Sequence, residues 1–168
     1  MADLTFVDDN QLEKFPQHTE HPFAKGNLTS DGIQWCAERS TTTANVDVSV
    51  ESIAPIITPL PGLIIEVEFG LTAAFRAVST ATADIIYQWQ ARNEGETWVN
   101  LHAAVTKTNI GTTYVEETYS GRFATAINFY RVPFEIRLII QCNEANEGRA
   151  KIKNSSYVRV IYTLNQQA

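Results

Sequence analysis

The chain has 168 residues, a formal net charge of −6 from 13 Lys+Arg against 19 Asp+Glu, 44% hydrophobic residues and only 19% charged ones. That balance is too apolar for a disordered chain, and its acidity (pI ≈ 5.0) excludes a general nucleic-acid binder that works through phosphate contacts. The length suits one domain of roughly 100–200 residues with a small arm left over, large enough to hold a core without metal or disulfide.

Residues 1–44 differ from the rest of the chain. They carry Pro16, Pro22 and single aromatics at Phe6, Phe15 and Phe23, with no sustained period of 2 or 3.6 before Gly32. Such a stretch is expected to be an extended arm whose rings dock on another surface, since exposed rings cost free energy. The start lacks the basic and apolar regions of a signal peptide. No stretch reaches the roughly 18–20 apolar residues of a membrane span. Synthesis as a soluble cytoplasmic chain is therefore expected. Ile33-Gln-Trp35-Cys-Ala37 alternates and reads as a first strand.

From residue 45 to 168 period 2 dominates. Val46, Val48 and Val50 alternate with polar residues. Pro55, Pro59, Pro61 and Gly62 break the chain, and Leu63–Phe69 resumes with Glu66 and Glu68 on the face opposite Ile65, Val67 and Phe69. Phe75–Ser79 continues after Gly70, past an expected bend. Ile85–Ala91 places Ile85, Tyr87, Trp89 and Ala91 on one face, and Trp98–His102 is its hairpin partner. Thr113–Tyr119, Phe134–Ile140, Ala150–Lys153 and Tyr157–Tyr162 complete about eight strands, with Arg122–Tyr130 read as a loop. No helix is indicated. Turn spacing of about 8–12 residues and 18 threonines point to an all-β, jelly-roll-like antiparallel sandwich.

Candidate chemistry is sparse. His18-Thr-Glu20-His21 offers three metal-ligand types within four residues. It sits between two prolines without a rigid frame, and Asp8 and Asp9 are the only nearby candidates for a fourth ligand, so a polar arm segment is the expectation and no cofactor is expected. His102 lacks a nucleophile at any recognisable spacing, and no Gly-x-Ser-x-Gly elbow occurs. Glu66 and Glu68, i and i+2 on a strand, fall about 6.5–7 Å apart, within reach of a glycosidase pair. The solvent face of a half-buried strand, which also discourages edge pairing, is the stronger explanation. Arg149, Lys151, Lys153 and Arg159 cluster late in the chain; they suit a local nucleic-acid site, against which the net charge argues, or equally a salt-bridged contact with an acidic strand of a neighbouring subunit. Cys36 and Cys142 form no CxxC pair and read as small buried hydrophobes. No enzyme is expected.

Asn93-Glu-Gly95-Glu-Thr97-Trp98 resembles a degenerate Asp-box, a hairpin turn whose Trp is tucked into the core in the families that carry it. The whole layout, an aromatic-bearing arm followed by short strands, resembles the jelly-roll decoration (cement) proteins on the heads of tailed phages. That resemblance implies a non-enzymatic virion protein, a homotrimer whose arm binds the major capsid lattice, with no nucleic-acid or membrane partner. Surplus aromatics outside the alternating faces, Phe123, Phe129 and Tyr130, join Phe6, Phe15 and Phe23 as interface candidates. The alternative is a carbohydrate- or receptor-binding sandwich on a phage tail or cell surface, using an exposed Trp. Trp89 and Trp98 read as core, which weighs against it.

Overall fold

A computed structural model describes residues 17–22, 35, 38–52, 62–79, 83–93, 95–124 and 134–164. Its described residues form eleven strands and no helix, arranged as two antiparallel sheets packed face to face. The first sheet contains β1 (Gln17–Pro22), β2 (Arg39–Ser40), β4 (Gly62–Arg76), β8 (Val115–Ala124), β10 (Arg149–Ile152) and β11 (Tyr157–Leu164). The second contains β3 (Val48–Ser52), β5 (Ala83–Asn93), β6 (Val99–Asn100), β7 (Val105–Ile110) and β9 (Phe134–Cys142). This is the all-β, jelly-roll-like sandwich expected, with eleven strands among the described residues in place of about eight.

Period 2 in the sequence becomes inside and outside in the sandwich. On β5, alternate residues from Ala83 through Ile85, Tyr87, Trp89 and Ala91 to Asn93 are buried. They meet Val67, Phe69, Leu71, Ala73 and Phe75 of β4 and Ile136, Leu138 and Ile140 of β9 in one core. The Phe75 and Tyr87 rings stack across it at 4.7 Å. Cys142 is buried and its thiol is free; Cys36 lies outside the described residues.

β4 is the organising strand. Its 15 residues pair with β8 along one edge and with β11 and then β10 along the other. The bend expected after Gly70 does not occur, since pairing continues through it; the irregularity lies nearer the start of β4, where consecutive Ile161 and Tyr162 of β11 face Glu66 and Ile64 and leave Ile65 as the extra residue. Gly70 serves a different purpose. A Cβ there would lie 2.7 Å from Tyr157 Cζ, so the missing side chain makes room for that ring on the outer face.

The start of the chain contributes to the first sheet. β1 lies antiparallel along β11, from Gln17↔Tyr162 to Pro22↔Tyr157. The strand expected over residues 33–37 is represented among the described residues by one isolated bridge, Trp35↔Lys153. Pairing then begins at Arg39–Ser40, against β10. Thr41 is fully buried, and its N–H donates to the Gly148 carbonyl at 2.9 Å.

Candidate functional site

The outer face of the first sheet carries a shallow groove of about 440 Å³ lined by Glu68, Phe69, Ser120, Gly121, Arg122, Tyr157 and Arg159. Register builds it: Glu68 of β4 is flanked by Arg122 on β8 and Arg159 on β11. Arg159 Nη1 donates to Glu68 Oε2 at 2.9 Å, Arg122 Nη2 donates to Glu68 Oε1, and Arg122 Nε lies 2.9 Å from Glu66 Oε1. Glu68 is thus on the outer face, as alternation requires, yet only 9% exposed, because two guanidiniums cover it. Two carboxylates held by two guanidiniums make a neutral lattice that positions the strands. This is not the pair of differently placed carboxylates that glycoside hydrolysis needs. Arg122, with its side chain 66% exposed, is the member that faces solvent.

The second sheet's outer face holds Trp98. Its turn forms as expected: Gly95 adopts φ 78°, the Glu96 N–H donates to the Asn93 carbonyl at 3.0 Å, and β6 pairs with β5 through Gln90↔Asn100. The ring is not in the core, which corrects the Asp-box expectation. Leu101 is buried instead, while Trp98 lies half-buried against the guanidiniums of Arg92 and Arg137, 4.4 and 4.2 Å from its centroid. Arg92 is paired with Glu135 at 2.5 Å, and Arg137 Nε donates to Gln90 at 2.8 Å. Burial, then the neighbouring Arg92, lower the Arg137 pKa against an opposing pull from Asp47.

The late basic cluster is engaged within the chain rather than held ready for a neighbouring acidic surface. Arg149 lies 3.6 Å from Glu38, Lys153 3.1 Å from Glu116, and Arg159 binds Glu68. Lys151, 6% exposed, sits over the Tyr114 ring at 4.0 Å and the Trp35 ring at 4.7 Å. Glu38 also receives Arg76 Nε at 3.1 Å and the Tyr114 hydroxyl. Together these groups clasp Trp35 and Glu38 onto the sheet.

His102 is a structural residue. The Trp89 N–H donates to its Nε2 at 3.0 Å and its Nδ1–H donates to the Ala103 carbonyl at 2.6 Å, so both ring nitrogens are engaged. The ring packs between Tyr87 and Tyr119, and the Tyr119 hydroxyl donates to the Leu101 carbonyl at 2.9 Å. Burial raises both phenol pKa values above the ordinary 10.0, and the Glu117 carboxylate raises Tyr87 further. Raised folded values favour the neutral phenols. Their contribution to stability is full below pH 10 and is lost as pH climbs through the raised values. Unfolding free energy is expected to fall above pH 10, and Tyr87→Phe to make that fall shallower. Denaturant titrations across alkaline pH check this; an unchanged slope in the variant would refute it.

None of the six interface candidates has a described side chain. Phe6, Phe15, Phe23, Phe129 and Tyr130 lie outside the described residues. Phe123 pairs with Val67 on β8, and its side chain is likewise outside them. His18, Glu20 and His21 fall on β1, opposite Ile161, Arg159 and Val158 in register. Among the described residues no group of three or more His, Cys, Asp or Glu is arranged to hold a metal. None of them forms a helix long and apolar enough to cross a membrane.

No protein-family model matches the sequence, and no curated protein does. Solved structures are similar to this chain in part. A chain of the T13 particle of infectious bursal disease virus superposes with a TM-score of 0.50 at 13% identity, over 88% of this chain and 35% of that one. A chain of the Gx strain of the virus gives 0.46 at 13% identity, over 89% and 38%. The CBM22-1 xylan-binding domain of Paenibacillus barcinonensis Xyn10C gives 0.35 at 15%, over 84% and 92%. This chain spans little more than a third of the viral chains it matches. At such identity the likeness concerns fold alone.

Proposed function

We propose that this chain is a non-enzymatic structural protein of a virus particle, of the decoration (cement) class found on tailed-phage heads. In this reading the β domain, residues 45–168, forms a homotrimer, and the arm within residues 1–44 grips the major capsid lattice. The aromatics Phe6, Phe15, Phe23, Phe123, Phe129 and Tyr130 supply the contacts, and the protein resides in the virion after synthesis in the host cytoplasm. The observation that carries the reading is a jelly-roll-like sandwich, shared in fold with a virus-particle chain, whose charged outer-face groups are spent on one another. Ion pairs of this kind fasten strands and suit a scaffold.

The test is the mass of the intact chain at micromolar concentration together with its presence in purified particles of the virus that encodes it. Three times the 18.8 kDa chain mass, with the protein retained on particles, is the expected result. A monomer that is missing from particles overturns it. Trp98 keeps a second reading in play, because a half-buried indole beside Arg92, Arg137 and Gln90 is an element of sugar recognition. That reading gives instead a chain whose Trp98 emission responds to an oligosaccharide.

A further inference from the structure

β8 is an edge strand, and its open edge has a self-complementary sequence. One edge pairs with β4 without a register break from Glu66↔Ala124 to Phe75↔Val115. Among the described residues no strand pairs with the other edge. Open edges are normally blunted by proline, a bulge, shortness or charge; this one has ten residues and neither proline nor bulge, and its outer-face charges, Glu116 and Arg122, are of opposite sign.

The backbone groups that face outward are set by one residue of β4. The Thr72 N–H donates to Ser156 Oγ at 2.9 Å, and its carbonyl accepts from the Lys153 N–H at 2.9 Å. Both point toward the turn between β10 and β11, away from β8. The Thr72↔Thr118 pair is therefore a non-hydrogen-bonded one, and the Thr118 N–H and C=O point at the open edge. By alternation, Glu116, Ser120 and Arg122 present theirs in the same direction. All four side chains are exposed on the outer face.

We infer that β8 pairs antiparallel with β8 of a second copy, about a two-fold axis at Tyr119. That register sets Glu116 opposite Arg122 and Thr118 opposite Ser120, each twice, and the four residues that pair are the four whose backbone groups face the open edge. Charge continues across the junction. Lys153 holds Glu116 at 3.1 Å, Glu116 meets Arg122 of the second copy, and that arginine is backed by its own Glu66 and Glu68. A slip of two residues would break both charge pairs. The contact is isologous, so it goes beyond the proposed trimer and would join trimers in pairs.

The full chain at tens of micromolar decides this by sedimentation. Ser120→Pro removes an N–H that faces away from β4 and serves no bond among the described residues, so folding by circular dichroism is expected to persist while an even-numbered assembly falls to half its mass. Thr118→Cys chains mixed with Ser120→Cys chains are expected to cross-link under mild oxidation, and neither variant alone to do so comparably. The cross-link stands as the test if Ser120→Pro fails to fold. A folded Ser120→Pro of wild-type mass, or a mixture that does not cross-link, overturns the two-fold junction. A trimer without cross-linking overturns it while leaving the proposed trimer intact, and a monomer overturns both.

Discussion

Trp89→Ala is expected to cost about 3–5 kcal/mol, the range for emptying a large aromatic site in a packed core. The indole is fully buried at the middle of β5, where Trp89 pairs with Leu138. The Trp89 backbone bonds, N–H to His102 Nε2 and C=O from the Leu101 N–H, do not involve the ring and survive the substitution. Against a typical total of about 5–15 kcal/mol this is a large fraction, and the melting temperature should drop on the order of 10 °C. Urea unfolding followed by circular dichroism should show a lower midpoint with an unchanged slope. A loss under about 1 kcal/mol would mean the two sheets do not close around this position.

Gly148→Ala is the second large effect, and it acts through addition. A Cβ at 148 would stand 2.8 Å from Cys142 Cβ and 2.8 Å from Thr41 Oγ1. Cys142 Cβ is fixed by the β9 backbone and cannot swing aside. Thr41 Oγ1 is committed as well, accepting the Gly148 N–H at 3.0 Å. The backbone must shift, at a cost of about 1–3 kcal/mol. Hydrogen exchange at the Thr41 and Gly148 amides should accelerate first, since their mutual bonds tie residue 41 to the start of β10. Cys142→Ala should not rescue the variant, because alanine keeps the offending Cβ. Rescue by it would place the clash elsewhere.

Much of the fold is legible in the sequence because it is local. The alternation of Ile85, Tyr87, Trp89 and Ala91 marks a half-buried strand without knowledge of its partners, and Asn93-Glu-Gly95 marks the turn after it. The outer faces are not legible, because they depend on which strands become neighbours. Glu68 looks like a solvent residue in sequence; it is covered by arginines 54 and 91 residues away. Alternation misplaces Trp98 for a related reason. β6 is only two residues long, so alternation across it carries little weight, and Leu101 takes the inward position beside Trp89. Lys151 and Lys153 look like free cations in sequence because Trp35 and Glu116, their partners, arrive from other parts of the chain. The single cation of β8, Arg122, is the available signal for the groove, since it falls opposite Glu68 once β4 and β8 are paired.

The double-edged pairing of β4 also sets a timetable for the growing chain. β4 ends at Arg76, but the strands that cover its two edges begin only at Val115, Arg149 and Tyr157. At roughly 5–20 residues per second on the ribosome, its apolar residues wait several seconds for partners. The nascent chain therefore passes through an interval in which its longest strand has two vacant edges. Recombinant yield should depend on temperature and on translation speed past residue 76 more than on the stability of the finished sandwich.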